Sequence, residues 1–362
     1  MIFPSDKPSF DVPQIIIMGT GYGECILVHI GNEKYVVIDS FLSPATKNPI
    51  AIEYLNSIGL DSGNIIGVIC SHWDDDHIRG LSDIAASIKG LNVGIPATFS
   101  QRELSKLREY LSYVRGAFDH VSINEFTRLM ELYDNNMISF NFCLPHRKLF
   151  NHLITAEGLN DIDVEVLSPS DKAYSQFIDQ LVIPKEGDLM QSINFSNNSI
   201  SVVSVFNLKG RYCLFGGDLE NGHGEWNEII NQYHYPKAEI FKIPHHGSEN
   251  GYSEKVWEKI VDNPISIITR FNRGRVFLPE DKQVRIIHNN SSKVFVVGGK
   301  SVSANESKHK LLEGLVSQEP HQMVRRKEKL GIIRLSYDTN DWRFETFGEV
   351  EELPSQEKVS SD

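Results

Sequence analysis

Ser71-His72-Trp73-Asp74-Asp75-Asp76-His77-Ile78-Arg79-Gly80 decides how the rest of this chain is read. Three acids and two histidines fill five of the six positions from 72 to 77. A solvated charge run mixes lysine with acid, but this one holds no lysine, and its one arginine follows the acid–histidine core. Carboxylates packed this densely repel one another and raise each other's pKa. A divalent cation removes that conflict, and aspartate with histidine is a donor set suited to one. The preceding Asn64-Ile65-Ile66-Gly67-Val68-Ile69-Cys70 is apolar and β-branched, so it predicts a short buried strand. The cluster is therefore expected where a strand ends and a loop opens.

Three other segments repeat the pattern of polar ligand-type residues at strand ends. Upstream, Gln14–Met18, Cys25–Ile30 and Tyr35–Asp39 predict a β-meander, with a glycine-rich turn from Gly19 to Gly23 and a tight turn at Gly31-Asn32. The glycines lack G-x-G-x-x-G spacing, and a strand rather than a helix follows them, so a nucleotide loop is not indicated. Asp39 closes the third strand. Downstream, Tyr212–Phe215 leads through Gly216-Gly217 to Asp218, and Glu239–Ile243 leads through Pro244 to His245-His246-Gly247-Ser248. A further strand, Pro264–Thr269, opens into Arg270-Phe271-Asn272-Arg273-Gly274-Arg275, a basic loop in an acidic chain.

Amphipathic helices are expected over Pro49–Gly59, Leu81–Ile88, Ser100–Val114, Asn124–Tyr133 and Glu225–Tyr233, and a closing hairpin over residues 330–347. Strands interleaved with helices fit two sheets packed face to face with helices outside. A first domain is expected over 1–300, with an insertion at about 95–190. A polar helical segment and the hairpin would occupy 301–348, and an acidic disordered tail 349–362.

Together Asp39, His72–His77, Asn197-Asn198-Ser199, Gly217-Asp218 and Pro244–Ser248 resemble the metallo-β-lactamase superfamily. Its usual H-x-H-x-D-H motif reads His72-x-Asp74-x-Asp76-His77 here. The aspartate at the second ligand position is most similar to the hydrolase domain of bacterial competence DNA-uptake channel proteins. The resemblance implies a four-layer αββα sandwich with one or two divalent ions, Zn or Mn, at a sheet edge. It implies that His72 and Asp74 hold one ion and Asp76 and His77 another, with Asp218 bridging and Asp39 behind the ligands. His245 becomes a ligand or a phosphate contact, and His246 its less certain neighbour. Asp76, His245 and His246 are the implied catalytic groups. The chain departs from the family pattern at Arg79-Gly80, where two glycines are usual. It also lacks the third-motif histidine, near whose place Asn194, Asn197 and Asn198 stand, and the histidine expected after Thr269.

Composition narrows the function. With 362 residues, 40% of them hydrophobic, the chain can bury a large core. A formal net charge of -12 does not suit a protein that binds DNA by neutralising its backbone. The four cysteines form no C-x-x-C pair and lie in or beside apolar runs, which predicts buried free thiols. No signal-peptide pattern or membrane-length apolar run is visible, so a soluble cytoplasmic protein with no membrane partner is expected. The leading expectation is a phosphodiesterase or nuclease that attacks through metal-bound hydroxide, with Arg270, Arg273, Arg275 and Asn198 on the substrate. The alternatives are a metallo-hydrolase of carboxylic esters, lactones or β-lactams, and a non-catalytic binding module on the same fold.

Overall fold

The computed structural model describes residues 2–96, 101–117, 120–181, 197–222, 225–299, 330–338 and 341–354. The chain begins with strands β1 (Gln14–Gly19), β2 (Glu24–Gly31) and β3 (Lys34–Ile38), helix α1 (Ile50–Ser57) and β4 (Ile65–Ile69). Next come α2 (Asp75–Ile78), α3 (Leu81–Ser87), β5 (Leu91–Ile95), α4 (Gln101–Ala117), α5 (Val121–Asp134), β6 (Ile138–Phe142), α6 (Asn151–Ala156), β7 (Ile162–Val166) and α7 (Asp171–Gln180). The second half holds β8 (Ser204–Leu208), β9 (Arg211–Phe215), α8 (Glu225–Gln232), β10 (Ala238–Lys242), α9 (Glu254–Lys259) and β11 (Val261–Thr269). It ends with β12 (Phe271–Arg273), β13 (Val276–Leu278), α10 (Asp281–Asn289), β14 (Lys293–Val297), β15 (Gly331–Asp338), β16 (Asp341–Gly348) and β17 (Val350–Glu352).

Among the described residues these strands form two large sheets. One runs β16-β15-β1-β2-β3-β4-β5-β6 and the other β17-β14-β11-β10-β9-β8-β7. Successive strand residues face opposite sides, and here both sides are buried. On β1, Ile15 and Ile17 point into the core between the sheets, while Ile16 and Met18 point under α1, α3 and α5. On β10, Ile240 faces the inter-sheet core, and Phe241 packs outward with residues of α8, α9 and α10. Two sheets with helices against both outer faces make the expected αββα sandwich. The meander β1–β3 is antiparallel, whereas β3, β4, β5 and β6 pair in parallel. Parallel neighbours need crossovers, and α1 and α3 provide two of them. This is why β3 and β4 end side by side and bring Asp39 next to Ser71.

Several sequence expectations are redrawn. Asp75–Ile78 forms one helical turn inside the expected loop, with Asp74 at its N-terminus. The strand expected from Ile200 starts only at Ser204, because Asn198–Ile200 makes a helical turn and Val202 N–H donates to the Ser71 carbonyl at 2.8 Å. The basic loop at 270–275 belongs to the two-stranded hairpin β12–β13. Residues 95–190 supply β6 to one sheet and β7 to the other. The closing hairpin joins the first sheet through β1–β15 pairing. Order continues past Glu349, since β17 pairs with β14 at the positions where the tail was expected to begin. The segment 300–329 and residues 355–362 lie outside the described residues. Among the described residues no helix is long and apolar enough to cross a membrane, and all four cysteines are buried and free.

One buried group links this core to pH. His29 on β2 is fully enclosed, and its Nδ1 lies 2.9 Å from the Val12 carbonyl. Burial lowers its pKa to about 4 from an ordinary 6.5. Below pH 6.5 the unfolded chain therefore takes up a proton that the folded chain refuses, and this contribution to stability falls towards pH 4. At pH 5.5 the loss is about 1 kcal/mol. Urea unfolding at pH 7 and 5.5 is expected to show a drop smaller by that amount in His29→Gln than in the wild type.

Candidate metal centre

The inter-sheet rows end in polar residues at one edge of the sandwich. Alternation places Glu24 in the inward row of Ile26 and Val28, Lys242 in that of Ile240, and Thr269 in that of Ile265 and Ile267. The strand-end loops lie above these rows. Asp39, with φ +58, follows β3. His72 to His77 follow β4, Asp218 follows β9, and His245-His246 follow β10, both at positive φ.

Four of these side chains meet in one place. His246 Nε2 lies 3.1 Å from Asp76 Oδ2 and 3.3 Å from Asp218 Oδ2. His77 Nε2 lies 3.4 Å from Asp218 Oδ2, 3.6 Å from Asp76 Oδ2 and 3.5 Å from His246 Nε2. All four residues are buried. His72 adds a flank, its Nε2 being 3.7 Å from Asp74 Oδ2 and 3.9 Å from Asp218 Oδ2. Asp218 Oδ2 thus faces both halves of the site.

Each imidazole is held from behind. Asp39, wholly buried, accepts from Ser71 N–H at 2.7 Å and Ser71 Oγ at 2.6 Å, and lies 2.8 Å from His77 Nδ1. Because Ser71 Oγ donates to Asp39, its lone pair is left for His72 Nδ1–H, 3.0 Å away. His246 Nδ1 sits 3.1 Å from both the carbonyl and the hydroxyl of Thr269. All three rings therefore carry their proton on Nδ1 and aim Nε2 inward, as metal-binding histidines do.

Charge follows from this placement. Burial pushes the Asp218 carboxyl up, but His246 and His77 reverse it and hold it well below the usual carboxylate range. Burial disfavours protonated His246, yet Asp218 and Asp76 raise it to about 9. His72, desolvated and beside His77, falls to about 3 and is a neutral imidazole at pH 7. Its Nε2 and Asp218 Oδ1 are buried atoms with no hydrogen-bond partner among the described residues. Nitrogen and oxygen atoms converging from Asp76, His77, Asp218 and His246, with unpartnered His72 Nε2 beside them, fit a divalent cation, whose binding displaces the proton that Asp218 and Asp76 otherwise hold on His246.

Glu24 also stands close, its ligand atom lying within 4.8 Å of those of His77, Asp218 and His246. It faces the Nδ1 side of the His246 ring and is already paired. Its Oε2 is 3.9 Å from Nδ1, opposite the inward Nε2, and the Lys242 ammonium already holds it at 2.7 Å.

The two adjacent histidines exchange the roles the sequence suggested. His246 enters the cluster. His245 turns aside to Glu220 (Nδ1 to Oε1 3.4 Å) and Asn198 (Nε2 to Nδ2 3.5 Å), and its side chain stays 19% exposed. Left-handed backbone at both residues splays their rings to a 6.4 Å separation, so the two do not face one point. Asn198 donates to Glu220 at 3.0 Å, and Asn197 rather than Asn198 touches the ligand set, donating to Asp74 Oδ1 at 3.1 Å.

The arginines also divide. Arg270 is paired with Glu351 of β17 at 2.6 Å. Arg273 lies over the Tyr22 ring at 5.0 Å and bonds its hydroxyl, while Arg79 lies 5.7 Å from the same ring and donates to Asp75 at 2.8 Å. Arg275 is exposed. Phe271 of the same hairpin packs 5.2 Å from His246 and walls the site.

Sequence reading missed Glu24, Lys242, Thr269, Ser71 and Glu220. For the first two a signal existed: opposite charges set within apolar strands, Glu24-Cys25-Ile26-Leu27 and Ile240-Phe241-Lys242-Ile243, require one another when buried.

Residues 18–113 match the metallo-beta-lactamase superfamily model. That stretch carries β2, β3, Asp39 and the whole of His72–His77. No curated protein matches the chain. Similar solved structures include a metallo-beta-lactamase with a HARLDQ motif from Cronobacter sakazakii, at 11% identity and TM-score 0.34, covering 67% of this chain and 78% of that one. The short form of human tRNase Z is similar at 13% identity and TM-score 0.33, covering 68% and 83%. A subclass B3 metallo-beta-lactamase from a soil metagenome library is similar at 11% identity and TM-score 0.35, covering 67% and 80%.

Removing the anchor behind two ligands tests the site. Asp39→Asn keeps the volume but replaces one acceptor oxygen with a donor, so His77 and Ser71 lose their shared partner. Zinc affinity, measured by chelator competition, is expected to fall roughly 10–100-fold. Unchanged affinity would show that Asp39 serves the fold alone.

Proposed function

We propose that the chain is a metal-dependent hydrolase of phosphodiester bonds, a nuclease or nucleotide phosphodiesterase. The observation that carries this reading is the convergence of two imidazoles on two carboxylates, His77 Nε2 and His246 Nε2 each lying 3.1–3.6 Å from both Asp76 Oδ2 and Asp218 Oδ2, with His72 and Asp74 alongside. Members of the matched superfamily are mostly metal-dependent hydrolases. The motif order that resembles the competence branch supports a nucleic-acid substrate. Aspartate in place of a ligand histidine hardens the donor set and favours Mn²⁺ more than an all-histidine site does.

Asp76, His77, Asp218 and His246 would hold the first ion. His72 and Asp74, sharing Asp218, would hold a second. A bound divalent cation acidifies water and stabilises charge on a phosphoryl oxygen. The residues around it do the rest. Asp39, Ser71 and Thr269 fix the ligand rings. Arg273 and Arg275, on the hairpin beside the site, and Arg79 at its rim offer guanidinium groups to phosphate oxygens. His245, partly exposed and 3.4 Å from Glu220, would donate a proton to the departing oxygen.

The overall reading is checked with bis(p-nitrophenyl) phosphate and single-stranded DNA in the presence of Mn²⁺ or Zn²⁺. Wild-type protein is expected to hydrolyse both, and Asp76→Ala/His77→Ala neither. Activity surviving in that double variant, or turnover of nitrocefin or lactones in place of phosphodiesters, contradicts the proposal.

The His245 role has its own signature. His245→Gln is expected to lower kcat about 100-fold on DNA, whose leaving alkoxide needs a proton. With p-nitrophenolate, which leaves unaided, the loss should stay under about fivefold.

A further inference from the structure

Lys242, paired with Glu24, is a charged residue at the metal centre that the proposed chemistry leaves without a task. Its side chain is 0% exposed, and its ammonium is paired to Glu24 at 2.7 Å and donates to the Ile243 carbonyl at 2.9 Å. Burying such a pair gains little over two apolar side chains of the same volume, so packing alone does not explain it. Its position does, since it stands where the inter-sheet rows meet the His246 ring.

We propose that Lys242, Glu24 and Thr269 form a positioning relay that locks the His246 imidazole with Nε2 towards Asp76 and Asp218; this rests on the reading of those residues as a cation site. The direction of each hydrogen bond follows from donor inventory. Glu24, ion-paired to Lys242, can only accept, so the Thr269 hydroxyl donates to Glu24 Oε2. The hydroxyl lone pair is then left to accept from His246 Nδ1–H at 3.1 Å, beside the Thr269 carbonyl at the same distance. With acceptors only behind it, Nδ1 keeps the proton and Nε2 is the atom presented to the cluster. The order carboxylate, hydroxyl, imidazole repeats that of Asp39, Ser71 and His72 on the opposite side of the site. The first arm comes from one sheet, whereas the second joins Glu24 of that sheet to Thr269 and Lys242 of the other, and Lys242 pins its carboxylate.

The experiment compares zinc dissociation constants by chelator competition for wild type, Thr269→Val, Thr269→Ser and the double variant Glu24→Gln/Lys242→Met. The double variant removes both charges together, so no buried ion is left unpaired. Thr269→Val and the double variant are expected to weaken zinc roughly 10–100-fold. Thr269→Ser, which keeps the hydroxyl, should stay within about threefold of wild type. Melting temperatures of the metal-free Ser and Val variants should agree, separating positioning from folding. In zinc-loaded protein the ¹⁵N spectrum should show His246 protonated at Nδ1. Wild-type affinity in both Thr269→Val and the double variant, with wild type binding zinc, overturns the relay and leaves the metal site standing. A wild type that takes up no zinc overturns the metal site, and the relay falls with it.

Discussion

The site depends on one buried carboxylate. Asp39 stands at the end of β3, beside the end of β4, in a left-handed conformation that few non-glycine residues adopt. From there it receives the Ser71 amide, the Ser71 hydroxyl and His77 Nδ1. Burial raises its pKa, and the His77 ring and the Ser71 donors oppose that rise. A carboxylate enclosed this completely is tolerable only while those donors stay in place. The same bonds that stabilise Asp39 therefore fix the start of the acid–histidine loop, the tautomer of His77 and, through Ser71, that of His72.

The parallel pairing of β3 with β4 is what makes the contact available. It ends the two strands at the same level, so Asp39 and Ser71, 32 positions apart, become neighbours. The second sheet repeats the arrangement with β9, β10 and β11, whose ends carry Asp218, His245-His246 and Thr269. Loops need not be long or irregular to build such a centre. They need only leave adjacent parallel strands on the same side, which is where ligand sites of α/β architectures gather.

Much of this was legible in the sequence. The period-two apolar strands and the repeated ligand-type residues behind them indicate two sheets and one active edge, because burial and metal chemistry both act on local pattern. What escaped was whatever depended on backbone conformation or on partners far along the chain. Nothing local says which of His245 and His246 turns inward; positive φ at both residues decides it. Arg270 looks like a substrate contact until Glu351, 81 residues later, is brought beside it by β17. Glu24 and Lys242 were visible as charges in apolar strands, but their pairing crosses between the sheets. The exposed arginines of the β12–β13 hairpin remain the part of the expected substrate surface that the fold leaves accessible.

Anomalous diffraction from crystals grown with Mn²⁺ or Zn²⁺, recorded at the absorption edge of the metal, tests the central claim most directly. The arrangement predicts a peak bonded to His77 Nε2, His246 Nε2, Asp76 and Asp218, with any second peak at His72 and Asp74. A peak confined to surface carboxylates, or none at this cluster at saturating metal, contradicts the account.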